Sequence, residues 1–306
     1  RYKEMIALNQ KDLHVHSPFC PHRASDAPLE EYLTAAEKQG IVELGFAEHG
    51  PFPAPLSLTQ YTKHPTLTDE EVELYFREMY ALRETYTGPV KITIGLEVDF
   101  LEGFEEETAR SLDLYGPRME DGLLSVHNLL VDGRYLNLGY QHNIIAAVGK
   151  MGARKLSELY YRTMLKLVIT DLGPYKPKRV GHPTMLALCG KHFPEFNEER
   201  ALMEEFVAAA KEYGFALELN TAGLESPEDC EEIYGQALLP YMKKYDVPVS
   251  LGADAHRPER IGSDFDHPVI LEAMKYLRPV WGDGTLRAAR ATGTARYEEA
   301  ANDCIG

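Results

Sequence analysis

Strand-length runs rich in Val, Ile, Leu and Phe recur at 11–17, 43–49, 90–99, 122–128, 179–182, 215–221 and 248–256, and polar or ionisable residues crowd the end of each. Helix signals fill the intervals. Asp26 and Pro28 open a segment that Gly40 closes, and Thr68 with Glu71 forms a capping box ahead of residues 72–86. Asn197-Glu198-Glu199 starts a helix that ends at Gly214, and Ser226-Pro227-Glu228-Asp229 is expected to start another. Residues 156–168, with Tyr160, Tyr161, Met164 and Leu167, carry the apolar stripe of a packed helix rather than a cofactor box. Strand alternating with helix requires parallel strands and crossover helices. Seven such units close into an α/β barrel more readily than they lie as an open doubly wound sheet, the alternative.

A chain of 306 residues that is 44% hydrophobic can bury a core of that size. No repeat, low-complexity tract or Pro/Ser/Gly-rich linker interrupts it, so 1–306 reads as one domain. The formal charge of -16 would repel a nucleic-acid backbone and favours a small substrate. No stretch approaches the roughly 20 apolar residues that span a bilayer, and residues 1–12 lack a signal-peptide pattern, so no membrane partner and a cytoplasmic location are expected. Because the chain begins at Arg1, an earlier segment stays open, as does assembly into a homo-oligomer. Cys20, Cys189, Cys230 and Cys304 show no paired spacing, which argues against a thiolate zinc knuckle or a disulfide framework.

Alternation along the first strand sends Asp12, His14 and His16 to one face, so two imidazoles can grip one metal ion while Asp12 orients a ligand from behind. An H-x-H pair alone is a weak signal. Here, however, Glu48-His49, Glu97 and Asp99, His127-Asn128, His182, Asn220-Thr221, and Asp254 and His256 end the other strands. In a parallel barrel these ends meet on one rim, where such folds build their active sites. With His22, seven histidines converge there: 14, 16, 22, 49, 127, 182 and 256. Imidazole and carboxylate donors suit zinc, iron or manganese. Adding Glu97 and Asp254 makes nine candidate ligands, enough for two or three divalent ions at about four to six ligands each, with the two carboxylates as natural bridges. Such a cluster can generate hydroxide near neutral pH and stabilise phosphoryl charge, so the chemistry would rest on Glu97, Asp254 and His256.

These motifs, Asp12-Leu13-His14-Val15-His16-Ser17, Glu48-His49, Gly95-Leu96-Glu97-Val98-Asp99, Ser125-Val126-His127, Gly181-His182 and Gly252-Ala253-Asp254-Ala255-His256, resemble the PHP (polymerase and histidinol phosphatase) family. That resemblance implies a distorted seven-stranded (β/α)7 barrel related to the TIM barrel, with a trinuclear metal centre. It also implies a partition of ligands: His14, His16, Glu97 and Asp254 on the first ion; Glu97, His127 and His182 on the second; His22, His49 and His256 on the third. Ser17-Pro18-Phe19-Cys20-Pro21-His22, His49-Gly50-Pro51-Phe52-Pro53 and the run from Leu217 through Asn220-Thr221-Ala222-Gly223-Leu224 are similar to the histidinol-phosphate phosphatases within the family. A small phosphorylated substrate, histidinol phosphate, and a place in histidine biosynthesis are implied.

The chain departs from that pattern twice. Glu225 stands where those phosphatases carry a basic residue, and their Tyr-Pro-Ser reads Tyr234-Gly235-Gln236. Both sites are plausible substrate contacts, which leaves open another small phosphate ester, a phosphodiester, an amide-like bond, or a non-catalytic metal-binding module. Arg23, which follows His22, and Lys191 are cations able to clamp a phosphate, and Glu225 would favour a cationic leaving group if it faces the pocket. Arg134, His142 and His192 read better as solvated residues.

Overall fold

In the computed structural model, which describes residues 10–22, 24–53, 66–230 and 232–279, seven parallel strands form one sheet in the order β1 (Lys11–Val15), β2 (Glu43–His49), β3 (Lys91–Asp99), β4 (Asp121–Ser125), β7 (Arg179–Val180), β8 (Ala216–Asn220) and β9 (Val249–Gly252). A parallel bridge between Val15 and Ala255, with the His16 N–H donating to the Ala255 carbonyl at 2.9 Å, brings β9 back against β1 and nearly closes the barrel. The expected (β/α)7 barrel is therefore the architecture observed. Its distortion lies in β7, which pairs with β4 at one register position, Leu124 with Val180, and in a bulge of β1 between Asp12 and Val15.

The crossover helices form for local reasons. α1 (Leu29–Lys38) buries Tyr32, Leu33 and Ala36 and is closed by Gly40 at φ +72°. Before α2 (Asp69–Thr85), the Thr68 side chain accepts from the Glu71 N–H while the Glu71 carboxylate accepts from the Thr68 N–H, the predicted capping box. α3 (Glu105–Tyr115), α4 (Gln141–Met151) and α5 (Ala153–Ile169) follow, and α5 buries Leu156, Tyr160, Tyr161, Met164, Leu167 and Val168. α6 (Arg200–Glu212) ends before Gly214 at φ +72°. α7 (Leu239–Tyr245) and α8 (Pro268–Ala273) complete the set. No helix among the described residues is long and apolar enough to cross a membrane.

Three local expectations give way. Residues 226–229 form a turn instead of a helix start, because the Asp229 carboxylate is taken by Gln141 Nε2 at 2.6 Å and His192 Nε2 at 2.8 Å rather than by backbone N–H groups. His142 lies in the first turn of α4, not in a loop. The run 122–128 is interrupted after Ser125, and Asn128 begins an antiparallel hairpin of β5 (Asn128–Val131) and β6 (Arg134–Asn137). Its two-residue turn uses Asp132 at φ 49° and Gly133 at φ 76°.

Candidate metal centre

Glu97, at the inward face of β3, is fully buried and surrounded by imidazoles. Its Oε1 lies 2.8 Å from His182 Nε2 and 3.4 Å from His127 Nε2, and its Oε2 lies 3.1 Å from His49 Nδ1, 3.4 Å from His14 Nε2 and 3.6 Å from His16 Nε2. Ser125 Oγ donates to Oε1 at 2.6 Å. Asp254 stands on the opposite side, its Oδ1 3.0 Å from His16 Nε2 and 3.7 Å from both His14 Nε2 and His256 Nδ1. The His256 ring stacks on His16 at 4.1 Å, and His22 Nδ1 contacts His256 Nε2 at 3.3 Å. The strand ends thus bring all nine predicted ligand positions to one rim.

Behind this layer, carboxylates fix the rings. Glu218 accepts from His14 Nδ1 at 3.0 Å and also from the His182 N–H and Asn220 Nδ2. Glu48 faces His16 Nδ1 at 3.0 Å while accepting from the Ser17 N–H and Oγ. Asp99 faces His127 Nδ1 at 3.2 Å. In each pair the carboxylate sets the tautomer and directs the other ring nitrogen inward, as an outer partner of a metal ligand does. Asp12 does not hold a ring as its sequence position suggests. Its carboxylate accepts from the N–H groups of Ala253, Gly262 and His14 and ties β1 to β9. Glycine makes the approach feasible at two points. A Cβ at Gly252 would lie 2.2 Å from Glu218 Oε1, and one at Gly181 would lie 2.4 Å from Ser125 Oγ. His182 and Asp254 sit at φ 26° and 53°, a backbone region costly for residues with a side chain and characteristic of over-determined sites.

Among the described residues, His14, His16 and His49 Nε2, His182 Nδ1 and Glu97 Oε2 are buried without a well-aligned hydrogen bond, close as His16 Nε2 and Glu97 Oε2 lie to Asp254 and His49. Such atoms are costly unless something meets them, and a cation among them would satisfy both the imidazoles and the carboxylates. The electrostatics agree. Burial opposes ionisation of Glu97 and Asp254, yet neighbouring His127 and His14 hold the first, and His14 and His16 the second, well below the usual carboxylate range. Burial lowers His22, His49 and His256 to about 4, so these rings are neutral and able to ligate at pH 7. His127 is raised to about 9 despite its burial, by Glu97 and Asp99. Four groups of donor atoms each lie within 4.8 Å of one another: His14, Glu97 and His182; His14, His16 and Asp254; His49, Glu97 and His127; and His16, Cys20, His49 and His256. Sequence reasoning missed Cys20, whose buried thiol stands in the last group where His22 was expected; His22 lies at its edge.

The expected phosphate contacts are less gathered. Lys191 donates to the Pro227 carbonyl on an exposed loop. Glu225 binds Arg260 Nε at 2.6 Å and lies 3.9 Å from Arg257 Nη2, so its charge is matched by two cations that follow His256. Arg23 lies outside the described residues.

A parallel barrel with imidazoles and carboxylates converging on the C-terminal rim defines the class of metal-dependent hydrolases. This chain belongs to the PHP domain family, whose model matches residues 12–222. It is 35% identical over 265 residues to the histidinol-phosphatase of Bacillus subtilis, spanning 85% of this chain and 98% of that protein. Among solved structures it resembles a Listeria monocytogenes protein assigned as a histidinol phosphatase, at TM-score 0.78 and 26% identity, covering 84% of this chain and 99% of that one. The histidinol phosphate phosphatase of Lactococcus lactis, solved with zinc, L-histidinol and phosphate, shares the fold at TM-score 0.66 and 22% identity, over 89% of this chain and 95% of that one.

Proposed function

We propose that this chain hydrolyses histidinol phosphate, using two or three divalent ions held by His14, His16, His22, His49, Glu97, His127, His182, Asp254 and His256. The observation that carries the reading is the Glu97 carboxylate within 3.6 Å of five imidazoles, two at one oxygen and three at the other. That is the position from which one carboxylate can serve two cations. Zinc is the first candidate, with iron and manganese behind it, because the donors are imidazole and carboxylate and the Cys20 thiol adds a soft ligand. Bound there, the ions supply a hydroxide nucleophile and neutralise phosphoryl charge.

The chain's own residues set the geometry. Glu218, Glu48 and Asp99 hold three rings in register, which lets His14, His16 and His127 present fixed nitrogens. Asp12 locks the closing seam so that His14 and Asp254 keep their spacing. Glu225 with Arg260 and Arg257 beside it gives this part of the rim both signs of charge, suited to a substrate that carries a phosphate and an ammonium. A panel of phosphate monoesters and diesters assayed with zinc, iron and manganese in turn tests the reading. Histidinol phosphate should have the highest kcat/KM. A phosphodiester or an uncharged-alcohol phosphate in first place would replace it.

A further inference from the structure

Tyr234 follows the rim strand β8 and is locked to it by two backbone hydrogen bonds with Asn220, at 3.0 and 2.9 Å. Asn220 itself donates to Glu218, the carboxylate that orients His14. The phenol is 4% exposed and packs with Ala187, Ala222 and Cys230. Its ring stands edge-on to His182, centroids 6.3 Å apart at 73°, and lies near enough to Asp254 for their charges to interact. Tyr75, Tyr115 and Tyr160, equally buried, each place the hydroxyl against a carbonyl, a carboxylate or an N–H. Tyr234 and Tyr161 do not: among the described residues neither hydroxyl meets a partner and neither oxygen is among the buried atoms sealed from solvent, but only the Tyr234 ring stands against a candidate ligand, Tyr161 packing on Tyr160 instead.

A nearly buried hydroxyl with no partner among the described residues, on a ring that stands against one candidate ligand and close to another, is a donor for something that arrives there. The rim around it carries negative and metal-binding groups. A neutral phenol, which burial holds well above its ordinary range, can donate a hydrogen bond there without adding charge or competing for the ions. We infer that the Tyr234 hydroxyl donates to a phosphoryl oxygen of the bound substrate, so that it is a substrate-binding residue of the centre proposed above. The inference rests on the phosphatase reading.

Calorimetric titration of inorganic phosphate into the zinc-loaded protein and its Tyr234→Phe variant separates the cases. Loss of a hydrogen bond to a charged oxygen should weaken phosphate binding about tenfold or more, with zinc content and Tm unchanged because the hydroxyl holds nothing in the free protein. Equal affinity for phosphate in the two proteins overturns the inference and leaves the phosphatase reading intact. Weaker binding accompanied by lost zinc or a lowered Tm assigns the hydroxyl a structural role and overturns it as well. A wild-type protein that binds zinc but no phosphate sinks the phosphatase reading, and the inference falls with it.

Discussion

The two ends of the barrel are built from similar residues and obey opposite rules. At the N-terminal end, Glu43 is met by Lys11, by Lys91 Nζ at 3.0 Å and by Thr93 Oγ1 at 3.1 Å. There, too, the buried Arg179 guanidinium binds Asp121 at 2.6 Å and donates to the Leu13 carbonyl. Cation and carboxylate answer one another. At the C-terminal end the carboxylates face imidazoles whose inward nitrogens have no donor to meet, and among the described residues five buried polar atoms there stand without a hydrogen bond, against three elsewhere that include Asp121 Oδ2 and Arg179 Nη1. What separates the two ends is therefore the kind of partner: at the lower end each buried carboxylate has a permanent cation of the chain in contact, whereas at the upper end the carboxylates face imidazoles and are completed by what binds there.

The largest expected effect lies at the centre of the incomplete end. Glu97→Gln removes the charge shared by five imidazoles while keeping the shape, and should lower kcat by about three powers of ten or more. Zinc per chain should fall, and the far-UV spectrum should be preserved. Near-normal turnover with full metal content would break the contrast between the two ends. Next in size is a change at the N-terminal end. Arg179→Met strands Asp121 and should cost about 3–5 kcal/mol of stability, read from denaturant midpoints with chelator present in both proteins. Zinc affinity of the folded variant should be close to wild type. A loss of metal without a loss of stability would show that the lower end also serves the centre.

A smaller effect tests the layer between them. Glu218→Gln keeps a partner for His14 but weakens the carboxylate's pull on the ring, and should lower zinc affinity about 10–100-fold in chelator competition. Unchanged affinity would mean that the Glu218 side chain merely fills the space between His14 and Gly252.

What the sequence made legible follows the same division. Seven apolar runs and the polar residues at their ends were enough for the barrel and for the nine positions on its rim, because strand ends are local features and a parallel barrel brings them together. Glu218 was hidden because it sits mid-strand in Leu217-Glu218-Leu219, where a charge between apolar neighbours carries no sign of what it will meet. The ring it holds belongs to a strand 204 residues away. Cys20 was set aside for lacking a paired cysteine, although a lone thiol needs only histidines around it. The β5–β6 hairpin was legible in Asp132-Gly133 between Leu129-Leu130-Val131 and Tyr135-Leu136, a turn signal that the continuous run across residues 122–128 obscured. Glu225 could not be placed by residue type, since the arginines that answer it come from the far side of β9.

The smallest expected effect concerns a charge at the N-terminal end that has no carboxylate in contact among the described residues. Lys176 is buried, and its Nζ donates to the carbonyls of Val168 at 2.7 Å and Thr170 at 2.5 Å, 5.0 Å from the Phe215 ring. Burial, with Lys178 beside it, pulls the ammonium from its ordinary 10.5 down to about 7. A base whose folded value is depressed is protonated more readily in the unfolded chain. Below about pH 7 both states carry the proton and the fold bears the whole cost; as the pH rises from about 7 toward 10.5 the folded amine is free of its proton and the cost shrinks. The wild type should therefore gain stability relative to Lys176→Met between about pH 7 and pH 9, by on the order of 1 kcal/mol, allowing for relaxation around a partly solvated amine. Denaturant midpoints for the two proteins at both pH values, in the same metal state, give the answer. A constant difference would mean that the two carbonyls and the ring keep the ammonium charged throughout. In that case the lower end is matched by neutral acceptors as completely as by carboxylates, and the contrast with the rim becomes sharper.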